Sequence, residues 1–224
     1  MGRRYAVGMA VALALLLAHP PAIAPADADA DAAAAVAGME RRYAQAETAS
    51  GAFRQVYRAP GMVQEESGVF KLKRPGLMRW EYRTPEEKLF VADGKECFLY
   101  VPRDRQVTVH PLTPADIKRT PLSFLLGGGG ARRDYRVTAE AEYKASRAGT
   151  VLARLTPLRR EEEYRFVVLE LDAGTHDIRR VVIRERSGNT SEFLLSDVVT
   201  GRNASAKDFQ FKVPRGVEVV RVND

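Results

Sequence analysis

Few residues of this chain have the types and the spacing that catalysis requires. His19 lies near the amino terminus, and His110 and His176 each lie beside a predicted turn. The chain contains no nucleophile-elbow motif, no His-Glu-x-x-His motif and no paired ligands at metal spacing. The glycine run 127–130 is not followed by the lysine and hydroxyl residue of a phosphate-binding loop. We therefore expect no catalytic residues, no metal site, no cofactor and no enzymatic activity.

Large apolar side chains dominate residues 68–100, where binding chemistry is more plausible than catalysis. Period-two alternation and punctuated turns predict consecutive strands in this stretch, with bulky apolar side chains on one face. An apolar cavity could hold an oily ligand, because burial of one methylene group stabilises by about 0.8 kcal/mol. The residues expected to line it are Phe70, Leu72, Met78, Trp80, Tyr82, Leu89, Val91, Phe98 and Tyr100. The alternative is that these side chains pack an ordinary filled core.

Residues 1–24 are predicted to be a cleavable secretion signal. Arg3 and Arg4 precede a nearly unbroken apolar run, residues 6–18, and residues 22–24 have the small-x-small pattern of a signal peptidase site. The run is shorter than the roughly 20 apolar residues of a transmembrane helix, although a retained anchor is the alternative. We therefore expect a soluble protein outside the cytoplasm.

Length and composition favour one domain. Residues 36–224 are expected to form it, preceded by a flexible leader rich in Asp and Ala, residues 25–35. Loss of the signal would lower the formal charge from +6 to +4, since Arg3 and Arg4 are its only charges. No basic stripe with interleaved aromatic residues occurs, so we expect no binding of nucleic acid. The single cysteine, Cys97, excludes an internal disulfide, and a monomer stabilised by its apolar core is expected.

The spacing of apolar residues predicts one helix followed by a meander of strands. Apolar residues three and four apart predict a helix from about Asp31 to Ala46 that covers a sheet. From Gly51 onward, alternation predicts ten or eleven strands, all antiparallel because their connections are short. Asp93-Gly94 is a strong signal for a hairpin turn, and Gly68 for a bulge or bend.

Residues 111–130 interrupt this pattern with three prolines and four consecutive glycines. They surround a short apolar segment, whose start at Thr120-Pro121 suits the first position of a helix. A short apolar helix between flexible segments is suited to act as a movable lid. The lid residues expected to face the cavity are Leu122, Phe124, Leu125 and Leu126.

Several short motifs occur in an order that is typical of one family. They are KLKRP at 71–75, MRWEY at 78–82, VADGK at 91–95, LYVP at 99–102, TPLSFLL at 120–126, LTP at 155–157 and FQFKVPRGVEV at 209–219. With them the chain resembles the LolA family, the periplasmic carriers that move lipoproteins from the inner to the outer membrane. The resemblance spans nearly the whole chain after the predicted signal.

The resemblance implies a mainly β fold, a half-open antiparallel β-barrel of about eleven strands closed by a helical lid. It implies a cavity for acyl chains, without enzymatic activity or cofactor, in a periplasmic protein. Arg74, the arginine of the KRP turn, would tie the barrel to the lid through hydrogen bonds; the alternative is an ordinary surface arginine. The implied partners are an inner-membrane ABC-type release complex and an outer-membrane acceptor. Met78 stands where the family commonly has an aromatic residue, which would alter the cavity.

Two alternatives keep this fold and change the function. LolA-like domains also carry other lipids, such as glycolipids, and sense mislocalised lipoproteins. A barrel filled by its own side chains would instead serve as a periplasmic interaction protein without lipid cargo.

Overall fold

The computed structural model describes residues 25–112, 130–159, 164–201 and 204–222. The predicted signal and the predicted lid, with Leu122, Phe124, Leu125 and Leu126, lie outside these ranges. Within them, no helix combines the length and the apolar character needed to cross a membrane.

Twelve strands in the described residues form one continuous sheet. They are β1 (Thr48–Ala59), β2 (Met62–Lys73), β3 (Leu77–Thr84), β4 (Lys88–Ala92), β5 (Glu96–Val101), β6 (Gln106–Pro111), β7 (Tyr135–Ala139), β8 (Thr150–Pro157), β9 (Tyr164–Asp172), β10 (Ile178–Glu185), β11 (Thr190–Gly201) and β12 (Glu218–Arg221). Two helices, α1 (Pro25–Ala44) and α2 (Ala131–Asp134), and a short 3-10 helix (Ala206–Phe209) accompany them.

The order of the strands leaves the sheet open. It runs β12-β6-β5-β4-β3-β2-β1-β11-β10-β9-β8-β7, so among the described strands β12 and β7 form two unpaired edges. This confirms the predicted half-open, mainly β architecture. The expectation that all strands are antiparallel is wrong for one pair, because β12 runs parallel to β6. β12 is reached from β11 through a long return segment, and only short connections force an antiparallel arrangement.

The helix α1 begins earlier than the sequence predicted. It starts at Pro25, so residues 25–35 are helical and the prediction of a flexible leader there is wrong. Alanine is the best helix former, and acidic residues near the amino-terminal end interact favourably with the helix dipole. Ala32 and Ala35 are buried in the main core, which explains why alanine recurs in this segment.

Polar contacts fix α1 over the strands β7, β8 and β9. Asp29 Oδ1 accepts a hydrogen bond of 2.7 Å from the backbone N–H of Ala139, at the end of β7. Glu40 Oε2 accepts one of 2.7 Å from Nε of Arg132 in α2. Both carboxylates therefore anchor the helix to one edge of the sheet.

Apolar side chains are buried on both faces of the sheet. We call the face that α1 covers the inner face; its core joins α1 to β1–β4 and to β8–β11. The opposite, outer face carries a smaller cluster on β4, β5 and β6. Phe211 and Val217, from the segment that precedes β12, pack against this outer cluster. The Phe211 ring lies 5.5 Å from the ring of Phe98 and 5.7 Å from that of Tyr100.

Gly68 lets β2 and β3 approach closely at an irregularity of the sheet. The register of these strands shifts between Ser67 and Gly68, which confirms the bend predicted there. A methyl carbon added at Gly68 would lie 1.9 Å from the carbonyl oxygen of Glu81 on β3. Any larger residue therefore has to push two hydrogen-bonded strands apart.

We expect Gly68→Ala to lower the free energy of unfolding by about 2 kcal/mol or more, as overpacking against backbone does. Urea unfolding would measure this loss. Gly174→Ala is the matched control, since the added carbon would lie 3.7 Å from Asp172 Oδ1, an ordinary contact. Equal stabilities of the two variants would contradict the close approach of β2 and β3.

Candidate functional site

Aromatic side chains from four strands meet on the inner face. The Trp80 ring stacks on Phe70 with centroids 5.1 Å apart, and it meets Phe53 edge-on at 4.9 Å. Phe193 lies 5.9 Å from Trp80, and Tyr82 lies 5.0 Å from Phe53. We call these five residues the aromatic floor. Such pairs stabilise by about 0.5–1.5 kcal/mol beyond the area they bury.

Five of the nine predicted lining residues lie together on the inner face. They are Phe70, Leu72, Met78, Trp80 and Tyr82. The register of β2 and β3 places Phe70 opposite Trp80 and Leu72 opposite Met78, so both strands present these side chains to the same side. All except the half-buried Tyr82 are at most 5% exposed.

The other four predicted lining residues lie on the outer face, so the prediction that the bulky apolar side chains of residues 68–100 share one face is wrong. They are Leu89, Val91, Phe98 and Tyr100. Trp80 is opposite Phe90 across β3 and β4, and the neighbours of Phe90 in β4 therefore point away from the floor. The prediction failed because β4 and β5 are apolar on both faces, their outer face being covered by Phe211.

Sequence reasoning missed the residues that continue the inner face on these strands. Phe90, Ala92 and Cys97 belong to or pack against the inner core. The register could have identified them: Ala92 is opposite both Met78 and Cys97 around the predicted Asp93-Gly94 turn. Once Trp80 is placed on the inner face, the pairing of the strands shows which alternate residues of β4 and β5 lie on the same face.

Arg74 lies at the carboxyl-terminal end of α1. Its Nη2 donates hydrogen bonds to the carbonyl oxygens of Tyr43, at 2.7 Å, and Ala44, at 3.0 Å. The last carbonyls of a helix lack intrahelical partners and carry partial negative charge, which a guanidinium group complements. The helix that Arg74 holds in the described residues is therefore α1, whereas its expected partner, residues 120–126, lies outside them.

The same end of α1 makes two further contacts with the turn between β9 and β10. Arg42 forms an ion pair with Asp177, and the Tyr43 hydroxyl oxygen accepts a hydrogen bond of 3.2 Å from the Ile178 N–H. Burial raises the pKa of Tyr43, so its phenol stays neutral well above physiological pH. Arg74 and this turn hold the end of α1 from two sides.

The inner face becomes polar beyond Tyr82. Glu66, only 8% exposed, accepts hydrogen bonds from Lys88 Nζ and, at 3.0 Å, from Gln64 Nε2. Lys88 Nζ also lies 4.8 Å from the centre of the Tyr82 ring. Burial, and secondarily the charge of Glu66, raise the pKa of Tyr82 to about 12, so its neutral hydroxyl donates to Gln55 Oε1 at 3.2 Å. We call these five residues the polar end.

The arrangement offers contacts rather than reactive groups. The aromatic floor is a continuous group of apolar side chains, of which all but Tyr82 are at most 7% exposed, and the polar end contains a neutralised ion pair with amide and hydroxyl groups. Within the described ranges, no three His, Cys, Asp or Glu side chains are grouped so that they could hold a metal ion. This geometry suits an elongated amphipathic ligand.

Comparisons with known proteins agree with the architecture. The family described as "Outer membrane lipoprotein carrier protein LolA" matches residues 44–212. The outer-membrane lipoprotein carrier protein of Bordetella pertussis is 32% identical over 224 residues, which cover 99% of each chain. The protein of the same name from Hahella chejuensis is 30% identical over 178 residues, covering 78% of this chain and 82% of that one.

A solved structure shares the fold. An uncharacterized conserved protein from Thermus thermophilus superposes with a TM-score of 0.53 at 12% identity, covering 85% of this chain and 99% of that one. At this identity the likeness concerns the fold alone. The family match over residues 44–212 and the identity to the two carrier proteins are the stronger findings, and by them the chain belongs to the LolA family of outer-membrane lipoprotein carrier proteins.

Proposed function

We propose that this protein binds the acyl chains of lipoproteins on the inner face of its sheet and carries them from the inner to the outer membrane. One observation carries the proposal: an open sheet has a continuous aromatic and aliphatic core on the face where α1 lies, and Arg74 bonds the end of that helix. Relatives of the chain bear the name outer-membrane lipoprotein carrier protein. In this role residues 1–24 direct the chain to the periplasm.

The inner face has the chemistry that acyl transport requires. An acyl chain leaving a membrane exposes many methylene groups, each of which costs about 0.8 kcal/mol in water. Apolar side chains from most of the sheet can replace the membrane interior as their surroundings. The cargo then comes from an ABC-type release complex at the inner membrane and passes to an acceptor at the outer membrane.

The attachment of α1 suits a cover that opens. The sheet is held by backbone hydrogen bonds between strands, and α1 takes no part in them. Its contacts with Arg74 and Asp177 can break without disturbing strand pairing. Displacement of α1 would widen access to the inner face. It costs these hydrogen bonds, on the order of 1 to 3 kcal/mol each, and it exposes Val36, Met39 and Tyr43, each at most 2% exposed, unless acyl chains cover them.

Trp80 provides a direct test, because it is the only tryptophan of the chain and lies in the aromatic floor. We expect a triacylated lipopeptide with brominated acyl chains to quench Trp80 fluorescence in a saturable manner. Native mass spectrometry of the protein from its periplasm would identify the cargo. Co-purification of a different lipid would replace the lipoprotein assignment, and absence of both quenching and bound lipid would refute the carrier proposal.

Neighbouring residues of β4 allow a matched test of the two faces. Phe90 and Leu89 are both half-buried, but Phe90 packs on the inner core and Leu89 on the outer cluster. We expect Phe90→Ala to weaken binding of the lipopeptide about tenfold, since an aromatic side chain leaves the site. Leu89→Ala should lower the stability while leaving the affinity unchanged. Weaker binding by Leu89→Ala alone would contradict the assignment of the faces.

Removal of the guanidinium at Arg74 should loosen the end of α1. We expect Arg74→Leu to raise amide hydrogen exchange in residues 40–47 about tenfold or more, because two charge-assisted hydrogen bonds to helix carbonyls are lost. Binding of the apolar dye bis-ANS should rise as the inner face becomes accessible.

Arg74→Lys is the control for charge, since a lysine keeps the cation but loses the planar fork of donors. Its exchange rates should lie between those of the parent and Arg74→Leu. Unchanged exchange and dye binding in Arg74→Leu would show that Arg74 is an ordinary surface residue.

A further inference from the structure

Apart from Tyr82, which also belongs to the aromatic floor, the polar end has no part in holding acyl chains, yet Glu66 is buried and Lys88 is half-buried. We propose that the polar end is a subsite for the glycerol ester carbonyls that join acyl chains to the head of a lipid, with Lys88 as the principal donor. This inference rests on the proposed function, because it assigns the orientation of an acylated ligand on the same face.

Stability does not explain a charged pair at this position. Removing two charges from water costs several kcal/mol per ion, and well-packed apolar residues of similar size often stabilise a protein equally well. The Glu66 and Lys88 side chains are 10% and 22% exposed, so both have lost most of their hydration. A ligand acceptor that bonds to the remaining N–H groups of Lys88 would explain why the pair lies at this position.

The Lys88 ammonium group has more N–H donors than it uses within the described residues. An ammonium group has three N–H donors and no acceptor. In the part of the chain that the structure describes, Lys88 donates to Glu66 Oε1 and lies over the Tyr82 ring. Two N–H groups remain for acceptors of another molecule, and the carbonyl oxygen of an ester is such an acceptor.

The neutral Glu66–Lys88 pair favours an uncharged hydrogen-bond acceptor over an anion. Glu66 neutralises Lys88 at close range, so the polar end carries no net charge toward a ligand. A phosphate or a free carboxylate would meet the Glu66 carboxylate as a like charge, which is unfavourable in a poorly hydrated site. A neutral ester carbonyl accepts a hydrogen bond without that repulsion.

The spacing along the strands matches an amphipathic ligand. Tyr82 follows Trp80 by two residues on β3, and Lys88 precedes Phe90 by two on β4, with Tyr82 opposite Lys88. Two residues advance a strand by roughly 7 Å on the same face, so the polar end forms the next row beyond the aromatic floor. Chains lying on Trp80 therefore place their ester groups near Lys88.

The test compares a triacylated lipopeptide with its ether-linked analogue, in which both glycerol ester carbonyls are absent. We expect the protein to bind the ester form about tenfold more tightly, as the loss of a charge-assisted hydrogen bond predicts. The double variant Glu66→Gln/Lys88→Met, which leaves no unpaired charge, should bind both forms equally. Arg79→Met/Glu81→Gln, which removes the ion pair on the outer face of β3, should keep the preference.

A second measurement needs no variant. Hydrogen bonding lowers the stretching frequency of an ester carbonyl, so the infrared band of the bound lipopeptide should shift to lower frequency than in a dry apolar solvent. The same ester and ether comparison with a diacyl phosphatidylcholine distinguishes the source of the ester, because a preference confined to one lipid identifies the cargo head group that fits.

Each outcome has a separate meaning. Equal binding of ester and ether forms, with an unshifted carbonyl band, would overturn the subsite and leave acyl carriage intact. An ester preference that survives in Glu66→Gln/Lys88→Met would also overturn it. Failure to bind either form would instead refute the proposed function.

Discussion

The alternation of side chains across one continuous sheet decides which residues can touch a ligand. The floor exists because the pairings of β1 with β2, of β2 with β3 and of β1 with β11 bring Phe53, Phe70, Trp80 and Phe193 to the same side. A shift by one residue between β3 and β4 would turn Phe90 outward and bring Leu89 in. The irregularity at Gly68 lies within this register, so the site depends on backbone geometry as much as on apolar composition.

Both faces of the sheet bury apolar side chains, but the segment that covers the outer face is joined to a strand of the sheet, whereas the helix that covers the inner face is not. The outer cover is part of the chain that leads into β12, and β12 is hydrogen-bonded to β6 in the sheet. The inner cover, α1, packs through apolar side chains that include Met39 and Tyr43, and it is held by polar contacts at its two ends. Elements outside a hydrogen-bonded ladder open at lower cost. This asymmetry favours access from the inner side.

The sequence predicted those features that depend on residues adjacent in the chain. The hairpin of β4 and β5 turns at Asp93-Gly94 as predicted, because the chemistry of this turn admits few alternatives. The faces of these strands were not predictable from alternation, because Phe211, more than 100 residues away in the chain, covers the outer one. The start of α1 was missed since an Asp/Ala repeat resembles a linker until tertiary packing buries its alanines. The polar end escaped notice because Gln55, Glu66 and Lys88 each look solvent-exposed until the register joins them.

Two of the buried acid–base pairs in the described sheet, Glu170–Arg180 and Glu66–Lys88, lie in different surroundings. On the outer side, Glu170 is completely buried and lies 2.7 Å from Arg180. Its other oxygen accepts hydrogen bonds of 2.9 Å from the Ser146 N–H, the Ser146 hydroxyl and the Thr150 hydroxyl, which tie the connection between β7 and β8 to the sheet. The carboxylate there is committed to the protein's own backbone and hydroxyl groups. Glu66 and Lys88 hold no loop, and the ammonium retains donors on the inner face, so their burial is better explained by a ligand than by the fold.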